Sequence, residues 1–250
     1  MRLTLRDSKG ERPADWTGPT TALILCDVWD RHWCRGASGR VDELAPAINR
    51  TAAAARRDGA LIIHAPSGTM PFYEGTPQRE RAATAPMAAA PVPLDHWFHP
   101  EPAREGSQPI DDSDGGCNDQ PPCPTGSPWT RQHEAVTIDP QDAITESGQE
   151  VWNLVRANGI QHILIAGVHL NMCVIGRPFG IRALSAMGME TALLRDLTDT
   201  MYCQRSAPYV SHSEGTRLMV EHVERYWCPS VRSSCVTGEP AFAFSLERGE

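Results

Sequence analysis

Four short apolar runs restrict the fold of this chain more than any other feature of its sequence. They are TALILC (21–26), ALIIHAPS (60–67), HILIAGV (162–168) and METALLRDL (189–197), and their cores are continuous rather than alternating. Strands that are apolar on both faces are typical of parallel sheets covered by helices. Segments with helical spacing separate or follow these runs, at 41–59, 149–158, 177–187 and within 210–228. The sequence therefore predicts an α/β fold, a Rossmann-like three-layer arrangement with a parallel sheet wrapped by helices on both faces.

Composition narrows the classes of function. The chain has 250 residues and a net charge of −8, which favours one domain over 1–250 and argues against a nucleic-acid partner, since phosphate binding needs clustered Lys and Arg. No apolar run approaches the roughly 20 residues that cross a bilayer. The first residues contain no apolar signal core. We therefore expect a cytoplasmic protein with a small-molecule substrate and no membrane partner.

Two segments do not fit the alternation of strands and helices. Residues 67–131 are rich in proline and alanine and show no repeat. An irregular segment of this length inside a domain usually has a function, and Trp97, Phe98 and Trp129 favour burial over a disordered linker. We interpret it as an insertion that forms a lid or pocket wall. The last segment, about 229–250, is predicted to be a C-terminal arm.

Eight cysteines occur without a secretory signal, so free thiols are expected. Cys117 and Cys123 differ from the others because they flank a proline-rich loop, GGCNDQPPCPTG. Three interpretations remain open for this pair: a short disulfide, part of a metal site, or two unpaired loop thiols.

Cys173 is a candidate nucleophile. It follows the strand HILIAGV and a four-residue turn, and it is predicted to open a helix. At a helix N-terminus the backbone dipole lowers a thiol pKa, and free N–H groups can hold an oxyanion. The alternative is a buried cysteine that only packs.

A nucleophile needs a base, and Asp27 ends the first predicted strand. The carboxyl ends of parallel strands meet at one edge of the sheet, so Asp27 can lie beside Cys173 and take the thiol proton. The alternative is an aspartate that only caps a turn.

Three strings together resemble the isochorismatase-like (cysteine hydrolase) family: LILCD at 23–27, IAGVHLNMCV at 165–174 and GMETALLRDL at 188–197. The resemblance spans about 21–68 and 133–199 and lies nearer the amidohydrolase and nicotinamidase branches. It implies that Asp27 is the catalytic acid/base and Cys173 the nucleophile. It also implies a cis peptide bond between Val168 and His169, and an oxyanion held by backbone N–H groups near Met172 and Cys173.

One element of the family pattern is missing. The family triad contains a lysine after a strand, and the corresponding stretch here, HEAVTIDPQDAITESG (133–148), contains none. Arg131 is the nearest cation in sequence. Either Arg131 or another basic residue from a different position is expected to substitute as a fixed charge.

Further residues are predicted to shape substrate choice. These are Trp29, His32, Trp33, His64, Arg177 and Tyr202, with a capping role as the alternative for Tyr202 and a surface salt bridge for Arg177. No cofactor is required for this chemistry. Asp30 and His32 have a D-x-H spacing that makes them weak ligands for a divalent metal such as zinc.

The sequence thus predicts a cysteine hydrolase that cleaves a C–N bond in a small amide, imide or ureido compound through a thioester. Two alternatives stay open because the lysine is absent: hydrolysis of a vinyl ether, as isochorismatases perform, or a binding protein that has lost catalysis. The resemblance also implies a homo-oligomer, a dimer or tetramer.

Overall fold

The computed structural model describes residues 1–245, and one sheet of eight strands organises this part of the chain. The strands are β1 (Arg2–Asp7), β2 (Gly10–Asp15), β3 (Thr21–Cys26), β4 (Leu61–Ala65), β5 (Ala143–Ile144), β6 (His162–Val168), β7 (Glu190–Asp199) and β8 (Ser230–Val231). The helices are α1 (Arg35–Arg57), α2 (Pro77–Ala83), α3 (Pro102–Glu105), α4 (Gly148–Ala157), α5 (Ile181–Ala186), α6 (His212–Tyr226) and α7 (Ser234–Thr237).

The strand order is β2-β1-β8-β7-β6-β3-β4-β5. The six strands from β8 to β5 are parallel, with Leu23 of β3 paired to Ile62 of β4 and to Leu164 of β6. The predicted parallel α/β sheet is therefore confirmed. It is extended by an antiparallel hairpin, β1–β2, that the sequence patterns did not predict.

Side chains of the central strands alternate between two cores. Ile24 and Ile165 face a core that includes α4, α5 and α6, whereas Leu25 and Leu164 face a core that includes α1. Because both faces are covered, each central strand is buried along its length. This double burial explains why the strands are continuous apolar runs.

Local signals in the sequence start and stop the helices. The Ser147 hydroxyl accepts from the Glu150 N–H at the start of α4, and the Ser211 hydroxyl accepts from the Glu214 N–H at the start of α6. Both pairs have the spacing of a capping box. Gly159, at φ 62°, follows the end of α4 in the left-handed conformation that glycine tolerates.

A buried ion pair fastens the segment 67–131 to the domain. Glu105, in α3, receives two hydrogen bonds from the guanidinium of Arg182 in α5, and further ones from His222 and Trp227. Burial raises the pKa of Glu105, but the bonds from Arg182 and His222 outweigh burial and lower the pKa to about 2. This segment is thus packed onto the domain with specific contacts.

The C-terminal segment is more integrated than the predicted arm at 229–250. Residues 230–231 form β8 inside the sheet, and Phe242 and Phe244 pack against the α1 core. The end of the predicted arm, 246–250, lies outside the described residues. Among the described helices, none is long and apolar enough to cross a membrane.

Candidate active site

Asp27 lies at the carboxyl edge of the sheet, directly after β3. Its backbone has a positive φ of 51°, and its N–H donates to the Ala65 carbonyl at 3.0 Å. The carboxylate is fully buried. Its Oδ1 accepts from the Ser67 N–H at 2.7 Å, and its Oδ2 accepts from Arg177 Nε at 3.0 Å. The carboxylate is therefore fixed in position between one backbone donor and one cation.

Cys173 lies in a π-helical turn, Leu170–Val174, that follows β6. The expectation that Cys173 opens the helix is wrong by three residues, because the π-helical turn begins at Leu170. The next α-helix, α5, begins only at Ile181. The turn is closed by the Val174 N–H, which donates to the His169 carbonyl at 3.1 Å. The half-buried thiol is thus presented on a tight turn at the same sheet edge as Asp27.

The expectation of a lowered thiol pKa is also wrong. Burial raises the pKa of Cys173 well above its usual range, and the charge of Asp27 raises it further, while Arg177 lowers it. Desolvation and a nearby anion both disfavour a thiolate. Cys173 therefore rests as a thiol, and its ionisation depends on a base that takes the proton.

Arg177, rather than Arg131, is the cation at this site. Arg177 follows the nucleophile turn, contacts Asp27 through Nε, and lies with its guanidinium 5.4 Å from the ring of Trp97. The Arg131 guanidinium lies over Phe72 and pairs with Glu134 at 3.8 Å, with its side chain 45% exposed. The predicted substitution of Arg131 for the family lysine is thus not what the structure shows.

The Val168–His169 peptide bond is cis, as the family resemblance implied. The His169 N–H faces the Cys173 sulfur and lowers its pKa. Met172 does not suit its predicted oxyanion role, because its N–H donates to the His169 carbonyl at 3.0 Å. Within the predicted pair, the N–H of Cys173 therefore remains as the candidate oxyanion donor.

Aromatic rings form a wall beside Asp27. Trp29 stacks on Trp129 with centroids 4.2 Å apart, and His32 packs against Trp33 at 5.3 Å and edge-on against His169 at 4.9 Å. Burial lowers the pKa of His32 to about 4, so its ring is neutral at pH 7. A narrow cleft, too tight to admit a water molecule, runs along this wall; it is lined by Asp27, Trp29, Arg31, His32, Ser38, Val41, Val168 and His169.

Two buried polar atoms at this edge have no hydrogen-bond partner among the described residues: Ser67 Oγ and His169 Nε2. Ser67 also donates its N–H to Asp27. Buried polar groups without partners are uncommon and costly unless a ligand or water satisfies them. Sequence reasoning missed Ser67, although its place just beyond β4 is a signal of the kind that pointed to Asp27.

Three predicted site residues have structural roles instead. His64 is fully buried between Gln132 and Asp142, at 2.8 and 3.0 Å. The Tyr202 hydroxyl donates to the Ser206 carbonyl. Asp30 accepts from the Thr130 N–H and hydroxyl.

The weak metal pair Asp30 and His32 is not arranged as a ligand set. The Asp30 carboxylate is engaged by Thr130, whereas His32 Nδ1 accepts from the Cys34 N–H at 3.2 Å. Since these two side chains are held by different partners, this D-x-H spacing does not form a metal site here.

The sequence and the fold of this chain are similar to those of known proteins. The profile of the isochorismatase domain matches residues 21–204. A cysteine hydrolase from Pseudomonas syringae pv. phaseolicola 1448A has a similar structure, with a TM-score of 0.54 at 16% identity over 90% of this chain and 94% of that one. An isochorismatase from Pseudomonas putida KT2440 also has a TM-score of 0.54, at 11% identity over 89% and 93%. No curated protein matches the sequence.

Proposed function

This chain belongs to the isochorismatase family of hydrolases, and we propose that it is a cysteine hydrolase that cleaves a C–N bond in a small amide, imide or ureido compound. One observation carries the proposal: a buried carboxylate, Asp27, is fixed beside the Cys173 thiol and paired with the cation of Arg177. Base, nucleophile and fixed positive charge are the groups that acyl transfer requires.

In the first half-reaction, the Cys173 thiol gives its proton to Asp27 as the sulfur attacks the substrate carbonyl carbon. The tetrahedral intermediate then collapses, the C–N bond breaks, and the leaving nitrogen takes the proton from Asp27. The product is a thioester on Cys173. Transfer of the proton during attack fits the raised thiol pKa, because little thiolate is present beforehand.

In the second half-reaction, Asp27 takes a proton from water as the oxygen attacks the thioester carbon. The C–S bond breaks, the sulfur recovers the proton from Asp27, and the acid product leaves. Backbone N–H groups of the turn, that of Cys173 first, hold the oxyanion in both halves. The same carboxylate thus acts as base and acid in turn.

Arg177 contributes a fixed charge and no proton. Its guanidinium stays protonated, so it cannot act as an acid. It orients Asp27 through Nε and lowers the pKa of Cys173. In this role Arg177 supplies the positive charge that the family pattern assigns to a lysine.

The aromatic wall and the insertion select small substrates. Trp29 and His32 line a tight cleft beside Asp27, and Trp97 of the insertion packs directly over Gly176 next to Arg177. Because this cleft does not admit a water molecule, the rings must move for a small amide or ureido group to enter, and the unpartnered Ser67 hydroxyl can then bind a polar edge of that group. Residues 67–131 act as a lid over this cleft.

Vinyl ether hydrolysis is the second candidate, because the thiol is protonated at rest and that chemistry does not need it. The binding-protein alternative has less support than it had from the sequence, because Arg177 supplies the missing cation.

A turnover assay separates the candidates. A panel of small amides, imides and ureido compounds is assayed with the unaltered chain, with Cys173→Ala and with Cys235→Ala, a half-buried thiol on α7. We expect turnover of a panel member that Cys173→Ala abolishes and Cys235→Ala retains. Retained turnover of a C–N substrate in Cys173→Ala would exclude the thioester route. Turnover of a vinyl ether alone, by the unaltered chain and by Cys173→Ala, would favour the second candidate.

A further inference from the structure

Three cysteines and one aspartate meet where the insertion touches the start of α1. Cys34 Sγ and Cys117 Sγ lie 2.9 Å apart. One oxygen of Asp119, Oδ2, lies 3.4 Å from the Cys34 sulfur, 3.6 Å from the Cys117 sulfur and 3.2 Å from the Cys123 sulfur. Three thiols, from two distant parts of the sequence, thus contact one carboxylate oxygen.

The spacing suits a tetrahedral thiophilic cation. With Zn–S of about 2.3 Å and Zn–O of about 2.0 Å, tetrahedral geometry places sulfur and oxygen ligands about 3.5 Å apart. The Asp119 distances to the Cys34 and Cys117 sulfurs, 3.4 and 3.6 Å, lie close to this value. Two sulfurs on such a cation lie about 3.8 Å apart, so Cys34 and Cys117 must separate from 2.9 Å when the cation binds. The ligand atoms of Cys34, Cys117 and Asp119 all lie within 4.8 Å of one another.

The backbone is shaped to bring these groups together. The Gly36 N–H donates to Asp119 Oδ2 at 3.0 Å. A Cβ on Gly36 would lie 2.8 Å from Asn118 Oδ1, and one on Gly116 would lie 2.3 Å from the Met201 backbone. Glycine at both positions lets the loop containing Cys117 approach α1 and the segment that follows β7 closely. The cluster is therefore seated by main-chain contacts on two sides.

The electrostatic setting also fits a cation bound by thiolates. Cys34 and Cys117 are buried, and one carboxylate oxygen of Asp119 faces both sulfurs. A divalent cation that displaced the thiol protons would gain thiolate ligands in a water-poor site.

We propose that Cys34, Cys117 and Asp119 bind one thiophilic divalent cation of the zinc class. The site lies apart from Asp27 and Cys173, and its ligands come from the start of α1 and from the insertion. It fastens the insertion to α1. Cys34 and Cys117 pack with Met201 and Met172, so the cation also steadies the turn that holds the nucleophile.

Cobalt titration tests the site directly, because tetrahedral Co²⁺ with thiolate ligands has a strong near-ultraviolet charge-transfer band. The full chain is reduced, freed of metal and titrated with Co²⁺ alone. We expect one equivalent to bind with this band, and zinc to displace it. Cys173→Ser and Cys235→Ser should bind cobalt as the unaltered chain does, which separates this site from the nucleophile.

Ligand variants decide the assignment. Cys117→Ser and Asp119→Asn should each weaken Co²⁺ binding by at least about 100-fold, with circular dichroism as the check on folding. Asp119 is only partly buried, so its variant should fold even if Cys117→Ser does not. Unchanged affinity in Asp119→Asn would overturn the proposal. The proposal would also be overturned by a chain that contains a Cys34–Cys117 disulfide before reduction and binds no cobalt after reduction.

Discussion

Arg177 Nε lies 3.0 Å from Asp27 Oδ2, and this contact joins residues 150 positions apart in the chain. Asp27 is fully buried, and the Arg177 side chain is 26% exposed. A buried carboxylate needs a partner, because an unpaired buried charge is costly. The pair therefore fixes the proposed base and places a positive charge beside the proposed nucleophile.

Replacing Arg177 tests the role of that charge. Arg177→Gln should lower kcat/KM by about 100-fold, because it removes the cation that orients Asp27 and stabilises developing negative charge. Arg177→Lys should recover part of the loss, since it restores the charge without the planar guanidinium. Steady-state kinetics measure both variants. Equal activity of Arg177→Gln and Arg177→Lys would show that the positive charge does not contribute to catalysis.

Asp27→Asn should reduce turnover by about 10² to 10⁴-fold, the usual contribution of a general base. It should also change how Cys173 reacts with iodoacetamide. Burial and then the Asp27 charge raise the thiol pKa, so removing that charge lowers the pKa while burial still holds it up.

The pH profile of Cys173 alkylation shows in which direction the thiol pKa changes. Only the thiolate reacts, so the profile of the Asp27→Asn variant should shift to lower pH than that of the unaltered chain. Peptide mapping assigns the label to Cys173. A profile that does not move, or moves to higher pH, would mean that Asp27 does not face the thiol.

Much of the fold could be predicted because burial leaves a direct pattern in the sequence. The run 162–168 coincides with β6, whose residues from Ile163 to Val168 are buried. The hairpin β1–β2 leaves a weaker pattern: only Leu3 and Leu5 of β1 are buried, and β2 is largely exposed and contains Pro13. An edge hairpin of this kind has no apolar run to identify it.

The sequence could predict the site residues that directly follow strands. It could not predict the contacts between side chains that are distant in sequence. Asp27 and Cys173 each lie just beyond a buried strand, so topology alone brings them to one edge. Nothing local in the sequence indicates that Arg177 contacts Asp27 or that Arg131 points toward Phe72. Proximity in sequence therefore gave the wrong cation.

The buried pair of Glu105 and Arg182 should make stability depend on acid pH. The Glu105 pKa falls from its ordinary 4.5 to about 2, which corresponds to about 3 kcal/mol of unfolding free energy at pH 7. Because the pKa is lowered by folding, this stabilisation is present above pH 4.5 and is lost as the pH falls toward 2. Glu105→Gln should therefore be less stable at pH 7.

Denaturant unfolding across pH measures this effect, with Glu134→Gln as the control. Glu134 is 84% exposed and pairs with Arg131 at 3.8 Å, so its loss should change stability by about 0.5 kcal/mol or less. The difference between Glu105→Gln and the unaltered chain should narrow as the pH falls. A difference that is constant with pH would show that the carboxylate charge is not responsible.

Gly176→Ala tests the packing of the lid. Its Cβ would lie 2.5 Å from the Trp97 ring, so the ring must move. Overpacking of this kind costs about 1–3 kcal/mol. We expect lower stability and faster alkylation of Cys173 at fixed pH. Gly39→Ala in α1, where no atom lies within 4 Å of the added Cβ, should show neither effect, and similar behaviour of the two variants would count against a lid at Trp97.

The central claim is that Cys173 carries the acyl group during turnover. The enzyme is mixed with an amide that it hydrolyses, and the reaction is quenched rapidly in acid. Intact-mass and peptide mass spectrometry then measure the acyl-enzyme directly. We predict a transient mass increase equal to the acyl group, located on Cys173 and absent from Cys173→Ala. An active enzyme with no adduct in any quench interval, or an adduct on the neighbouring Cys26, would contradict the account.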